Sequence, residues 1–301
     1  MEPASPPILN PPRRFPALCL ALLGLTGLSL AAAGGLLWAP PDLEPAALWT
    51  GSGWVQIFAA GAPYAFWVLL ILGAHEMGHF LTCRRYRIPV TLPYFLPGPP
   101  PLGTFGAVLR IRGLIPDRRA LFDVAAAGPL AGIAVALPVL VAGILTATPS
   151  SAPADGQAIV LGAPLGWDLV ALLWRHDSPP EPNALLVAGW VGALFTSLNL
   201  FPVGQLDGGH VAFALSRRLH RGLAFATLAG LGALVLVQVF VQRQVPAYLL
   251  WLAILAWMRD RHPPVLHPGP PLGRARTVLA LLLAAIWLAC FIPLPLRVVG
   301  P

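Results

Sequence analysis

The sequence predicts an all-α polytopic membrane protein of about seven transmembrane helices, with a short β-strand segment in the loop after the second. Three observations carry that prediction. Of 301 residues, 57% are hydrophobic and only 10% charged, against about a quarter charged in an ordinary soluble domain. The apolar residues fall into long uncharged runs, and about 20 such residues suffice to cross a bilayer. The arginines crowd into alternate gaps between the runs, as topology-setting charges do.

The elements follow in order. Phe15 to Trp38 is uncharged and long enough to span. Arg13-Arg14 before it and Ala31-Ala32-Ala33 near its end also fit a signal peptide, but the apolar stretch exceeds a usual signal core, so a retained helix is expected. A second span starts at Pro63, a good first-turn residue, and runs to about Cys83. The third covers Ala120 to Ile144, the fourth Asn183 to Leu200, the fifth Gly222 to Val241 and the seventh Thr277 to Leu296. Val245 to Met258 is a shorter sixth candidate, about 21 Å as a helix. In the loop from Tyr86 to Arg119, the segment Thr104 to Arg112 ends in apolar and basic residues that alternate as in a half-buried strand. Leu165 to Trp174 is expected to lie along the interface, and Pro3–Pro12 and Pro263–Pro271 read as linkers. The chain therefore divides into a tail, first span and linker (1–62), a core that holds the polar motifs (63–219) and C-terminal spans (220–301).

With the N-terminus inside, sixteen of nineteen arginines fall on the inner face, and only Arg175, Arg243 and Arg297 fall outside. Asp42, Glu44, Asp155, Asp168, Asp177 and Glu181 lie on that outer side. The net charge of +7 comes from arginine alone. It reads as topology rather than nucleic-acid binding; the expected surroundings are a lipid bilayer. Cys19, Cys83 and Cys290 imply no disulfide framework.

The residues that carry chemistry are His75-Glu76-Met77-Gly78-His79. No charged residue occurs from Ser52 to Ala74, so this string lies inside an apolar span. Ionisable groups at that depth are costly and mark a function. Residues four apart share a helix face, so His75 and His79 can grip one zinc while Glu76 lies beside it as a base. Cys83 is no third ligand, because about 12 Å of helix rise separates it from His75. A catalytic zinc takes three protein ligands and keeps a position for water. The outstanding acidic candidate is Asp207, in Asn199-Leu200-Phe201-Pro202-Val203-Gly204-Gln205-Leu206-Asp207-Gly208-Gly209-His210. Pro202 and Gly204 should stop the fourth helix, and Gly208-Gly209 should free the backbone beyond. The simpler reading of this stretch is a kink and a solvated loop carboxylate.

HExxH in an early span, followed later by Asn-x-x-Pro-x-x-x-x-Asp-Gly, resembles the site-2 protease family of intramembrane zinc metalloproteases. Asn199, Pro202, Asp207 and Gly208 fill the second motif. Gly103-Thr104-Phe105-Gly106, Arg119-Ala120-Leu121-Phe122-Asp123 and Gly128-Pro129-Leu130-Ala131-Gly132 are similar to its cyanobacterial and plant-chloroplast branch, which lacks PDZ domains. The resemblance covers Pro63 to His210 well and the later spans loosely. It implies one Zn²⁺ on His75, His79 and Asp207, with Glu76 as general base. Asn199 and Gly103, Thr104, Phe105 and Gly106 are then expected to bind substrate, although Asn199 equally suits a helix-end cap. For His210 a plain structural role is preferred over assisting the oxyanion or orienting Asp207. Gly128 and Gly132 form a small-xxx-small pair for close helix packing.

The implied partner is a single-pass transmembrane protein, such as a membrane-tethered regulator of the anti-sigma-factor kind, cut in or at the edge of its transmembrane segment. Two other classes stay open: an inactive relative acting as a membrane chaperone or binder, and a metal transporter. The Lys-free composition, and the lack of a Ser/Arg-rich transit segment before the first span, lead to the expectation of a bacterial plasma membrane with the site towards the cytoplasm.

Overall fold

Backbone groups in a bilayer must be satisfied within the chain, so apolar runs of this length become helices. The computed structural model describes residues 15–38, 50–149, 158–174, 176, 178–244, 246, 248–259 and 265–299. The expected features at Pro3–Pro12, Arg13, Arg14, Asp42, Glu44, Asp155, Arg175, Asp177 and Arg261 lie outside these residues. Among the described residues the fold is mostly helical: α1 (Phe15–Leu37), α2 (Gly51–Arg85), α3 (Arg118–Leu145), α4 (Trp167–Ala171), α5 (Ala184–Asn199), α6 (Asp207–Leu215), α7 (Arg217–Phe240), α8 (Leu249–Met258) and α9 (Gly273–Cys290). Five of them, α1, α2, α3, α7 and α9, are long and apolar enough to cross a membrane. Helices α5 and α8 are apolar but shorter, with 16 and 10 residues. At a rise of about 1.5 Å per residue α8 reaches only about 15 Å, half a hydrocarbon core.

Several boundaries differ from expectation. Helix α2 begins twelve residues before Pro63, because the Thr50 hydroxyl accepts from the Gly53 N–H and caps it there. Proline inside a membrane helix is tolerated when neighbours supply packing. Here α1 supplies it, crossing so closely that a Cβ on Gly61 would meet the Ala31 carbonyl oxygen at 1.9 Å. Helix α7 starts at Arg217, where the Ser216 hydroxyl accepts from the Arg218 N–H. Helix α9 ends at Cys290 rather than Leu296, since Pro293 and Pro295 disfavour helix in the residues before them. The freed stretch β4 (Leu296–Val299) pairs antiparallel with β3 (Ala158–Leu161) in a second sheet that the sequence reading missed. The interfacial segment folds only as the single turn of α4.

The loop after α2 forms the expected β structure, but as a hairpin. Strand β1 (Tyr94–Pro97) pairs antiparallel with β2 (Thr104–Val108) in the register Tyr94↔Val108, Phe95↔Ala107 and Leu96↔Gly106, with an irregularity before Pro97↔Thr104. Beyond Val108 the strand gives way to an isolated bridge between Val90 and Ile111. Gly103 takes a φ of 78° at the turn, a region open to glycine at little cost. The hairpin is pinned from outside: the Ser29 hydroxyl donates to the Gly103 carbonyl at 2.6 Å, and the Tyr64 hydroxyl to the Leu102 carbonyl at 2.8 Å.

Two of the three buried clusters flank the polar motif. One joins α1, α2, α3 and α5 through Leu30, Tyr64, Val68, Ile71, Val139 and Trp190. The other joins the end of α2 to α3 and α6 through Cys83, Leu121, Phe122, Val124 and Val211. In lipid such packing is held by close van der Waals contact and polar links rather than by escape from water. Along α2 the motif His75 to His79 falls between the two clusters. The arginine-rich ends are tied together as well. Arg119 donates to the Pro271 carbonyl, and the Arg276 guanidinium grips Asp123 through bonds of 2.7 and 2.6 Å. At the opposite ends the Gly162 and Leu165 N–H groups donate to Pro295 and Phe291.

Candidate metal centre

His75, Glu76 and His79 are all buried on α2, at 6, 5 and 8% exposure. The 3.6-residue period puts His75 and His79 on one face a turn apart, and their Nε2 atoms lie 3.1 Å from each other. Asp207 arrives from across the bundle. Helix α5 stops at Asn199, the chain turns through Pro202 and Gly204, and α6 restarts with Asp207 as its first residue. Helix N-termini favour anionic groups. The break is the one expected from Pro202 and Gly204. Gly208 and Gly209, however, are helical and do not form a free link. A Cβ on Gly208 would stand 1.9 Å from the Leu200 carbonyl oxygen, so the lack of side chains there lets α6 begin tightly against the turn.

The Asp207 Oδ2 lies 3.3 Å from both imidazole Nε2 atoms. A tetrahedral zinc with ligand bonds of about 2.0–2.2 Å needs its donors roughly 3.3 Å apart. The observed triangle of 3.1, 3.3 and 3.3 Å therefore fits zinc without rearrangement. The same three residues form the one candidate metal cluster among those described. Three protein donors leave a fourth position open, as in catalytic rather than structural zinc sites. Cys83 is buried and outside the cluster, as its distance along the helix requires.

Helix α3 builds the wall behind these donors. The Val124 carbonyl sits 2.8 Å from His79 Nδ1 and accepts its proton, which leaves Nε2 as the free donor atom. One turn on, a Cβ at Gly128 would lie 2.1 Å from His79 Nε2, and another turn on, one at Gly132 would lie 3.2 Å from His75. Val124, Gly128 and Gly132 thus form one stripe that supports both imidazoles. The sequence reading took Gly128 and Gly132 as helix-packing residues and did not connect them with the two histidines; the clue was their spacing of four, equal to that of His75 and His79.

The remaining candidates divide. Asn199 reaches the centre, with Nδ2 3.5 Å from His75 Nε2. Gly103 and Thr104 do not: Gly103 packs on α1, and the buried Thr104 hydroxyl donates to the Leu96 carbonyl at 2.7 Å inside the hairpin. Gly106 lies on the Phe195 ring, with a 3.3 Å gap for an added Cβ. Phe105 points outward and is 69% exposed. Phe195 and Asn199 are four apart on α5, so the hairpin is about one helical turn, roughly 6 Å, from the metal centre along that face. His210 lies in the first turn of α6, its N–H donating to the Leu206 carbonyl, and does not join the metal cluster.

Comparison with known proteins agrees with this geometry. The sequence model of Peptidase family M50 matches residues 63–173. A probable zinc metalloprotease of rice, chloroplastic EGY1 (Oryza sativa subsp. japonica), is 31% identical over 269 residues, or 85% of this chain and 43% of that protein. The chain belongs to peptidase family M50, the site-2 proteases. Other M50 relatives are the probable zinc metalloproteases EGY2 and EGY1 of Arabidopsis thaliana, both chloroplastic, at 33 and 32% identity. They cover 59 and 65% of this chain and 33 and 36% of their own lengths. The chain thus spans less than half the length of these M50 relatives. The chloroplastic setting of these relatives overturns the expectation of a bacterial plasma membrane. An arginine-for-lysine bias reflects the base composition of a genome and carries no information about compartment.

Proposed function

We propose that this chain is an intramembrane zinc metalloprotease that cuts peptide bonds within or at the edge of a transmembrane segment of a membrane-tethered protein. One observation carries the reading: a three-donor triangle of zinc dimensions with the buried Glu76 carboxyl beside it, inside an apolar helix. When held by His75, His79 and Asp207, zinc supplies Lewis-acid polarisation of a carbonyl and makes water more acidic. Glu76 takes the proton as water attacks the carbonyl carbon, and returns it to the amine nitrogen as the C–N bond breaks. Burial away from water strengthens each of these electrostatic interactions. The Asn199 amide, facing the same space, donates to the substrate carbonyl.

A helix hides its carbonyls, so the substrate must unwind before it is cut. Strand edges accept extended segments by main-chain pairing. The hairpin of β1 and β2, a helical turn from the metal along α5, is the surface for this step. A metal-transit reading is weaker, since pathways use several sites and the described residues hold one donor cluster. The substrate class remains the single-pass regulator implied by the family resemblance, and the relatives support a chloroplast membrane as the setting.

The reading is tested with protein reconstituted beside a single-pass substrate. Glu76→Gln is expected to keep about one zinc per chain and lose roughly 10²–10⁴-fold in cleavage, the usual worth of a general base. His79→Ala and Asp207→Ala are expected to lose both metal and cleavage. Near-normal proteolysis by Glu76→Gln would sink the mechanism.

A further inference from the structure

We propose that the groove between the start of α3, the end of α6 and the start of α9 binds a phosphate group. Its volume is about 760 Å³, within the range of about 300–1,000 Å³ typical of small-ligand sites. Arg118 and Ala214 line it on one side, Arg274 and Thr277 on another. The remaining wall is the chain from 268 to 272, which is fixed on the start of α3. The Leu266 and His267 N–H groups donate to the Ile115 and Pro116 carbonyls, and the Arg119 guanidinium donates twice to the Pro271 carbonyl. Pro268, Pro270 and Pro271 restrict φ along this wall, so it keeps its shape before a ligand arrives.

Three features of the lining call for an anion. The Arg118 Nε–H is buried and meets no acceptor in the protein, a costly state for a charged donor. Arg274, from a different helix, opens on the same groove and makes no side-chain hydrogen bond or ion pair among the described residues. The third feature is the start of α9. Its N-cap residue, Leu272, gives no side-chain acceptor to the first N–H groups, and Gly273 and Arg274 line the groove. Uncapped helix N-termini favour anions. The carboxylates nearby are committed elsewhere: Asp117 caps α3 by accepting from the Ala120 N–H, and Arg276 grips Asp123. Neither lines the groove. A carboxylate has two oxygens in one plane and can satisfy one guanidinium edge. The tetrahedral oxygens of a phosphate can meet both arginines and the helix end together. Arg118 stands six residues before Val124 on α3, about 9 Å away along the helix. Ala214 stands seven after Asp207 on α6. The site is therefore separate from the metal centre, yet an anion in it ties the ends of the helices that build that centre.

The phosphate can belong to a soluble compound or to a lipid headgroup, since the groove also reaches Val278, 65% exposed on an apolar helix. Two arms of one experiment on the 301-residue chain separate these sources. In detergent, thermal unfolding is followed in inorganic phosphate and in chloride at matched ionic strength. In vesicles of phosphatidylcholine with added phosphatidylglycerol, gentle extraction and native mass spectrometry read the retained lipid. A saturable rise of Tm in phosphate, or loss of bound phosphatidylglycerol when phosphate is added, assigns the groove to a soluble phosphate. Retained phosphatidylglycerol that phosphate does not displace assigns it to a headgroup. In either case Arg118→Gln and Arg274→Gln should each weaken binding by about tenfold. Arg218→Gln, which removes an exposed arginine outside the groove, should bind as wild type. If Arg118→Gln does not unfold cooperatively, Arg274→Gln, exposed at the mouth, carries the comparison. The proposal is overturned if neither phosphate nor phosphatidylglycerol distinguishes the wild type from these variants, or if Arg218→Gln loses as much. A Tm rise that persists undiminished in the variants is a general salt effect and counts against the site.

Discussion

Gly128 lies directly beneath the His79 imidazole, so close that a β-carbon there would fall 2.1 Å from the nitrogen that faces Asp207. The space is defined on three sides: the Val124 carbonyl holds Nδ1, Gly128 underlies the ring, and Asp207 faces Nε2. The ring cannot shift to accommodate a methyl group without leaving one of these partners.

This relationship yields an ordered prediction. Gly128→Ala should remove zinc and cleavage nearly completely, whereas Gly132→Ala, whose added carbon would sit 3.2 Å from His75, should keep metal with roughly a several-fold loss of rate. Zinc content per chain, measured beside membrane insertion, decides. Equal metal content in the two variants and wild type would show that α3 does not position the histidines.

How much of this was legible in the sequence depends on the range of each interaction. His75, Glu76 and His79 stood out because charge is rare in an apolar span, and Asp207 because Pro202 and Gly204 announce a broken helix. The early start of α2 was hidden: Pro63 is a local stop signal, overridden by packing against α1. The roles of Val124 and Gly128 were hidden for a related reason, since a carbonyl and an absent side chain have no chemical signature until the partner helix is in place. The β3–β4 pair joins segments more than 130 residues apart, both short enough to pass for loop and span end. Short α8 was legible as the weak span, because its uncharged run is itself short.

A second prediction concerns the ends of α3 and α9. Asp123 accepts two hydrogen bonds from Arg276 and one of 2.5 Å from the Tyr86 hydroxyl, joining α9, α3 and the end of α2 one residue from the carbonyl that holds His79. Both charged side chains are about a quarter exposed, so solvent screens the pair in part. Arg276→Ala should cost about 1–3 kcal/mol of stability, the range for hydrogen bonds to charged groups. Arg276→Lys should recover only part, because an ammonium cannot reproduce the fork. Thermal unfolding in detergent measures both. A cycle with Asp123→Ala in which the two losses simply add would show that the pair is not coupled.

The last prediction concerns the hairpin, where the expectation of direct substrate contact by all four residues from Gly103 to Gly106 divides. Gly103, Thr104 and Gly106 are occupied in building the hairpin and seating it on α1 and Phe195, so their replacement should act through folding. Phe105 is different. Its side chain stands clear of the protein on a strand a helical turn from the metal, free to cover an apolar segment as that segment unwinds. Burying a phenylalanine is worth about 1.5–3 kcal/mol. Phe105→Ser should therefore lower kcat/KM for a membrane substrate by roughly tenfold or more, mainly through KM, with zinc content and thermal stability unchanged. The loss should shrink for substrates that carry helix-breaking residues near the cut, which need less help to unwind. A Phe105→Ser enzyme with an unaltered KM, or one that loses equally on stiff and flexible substrates, would assign the hairpin to tying α1, α2 and α5 together and remove it from substrate recognition.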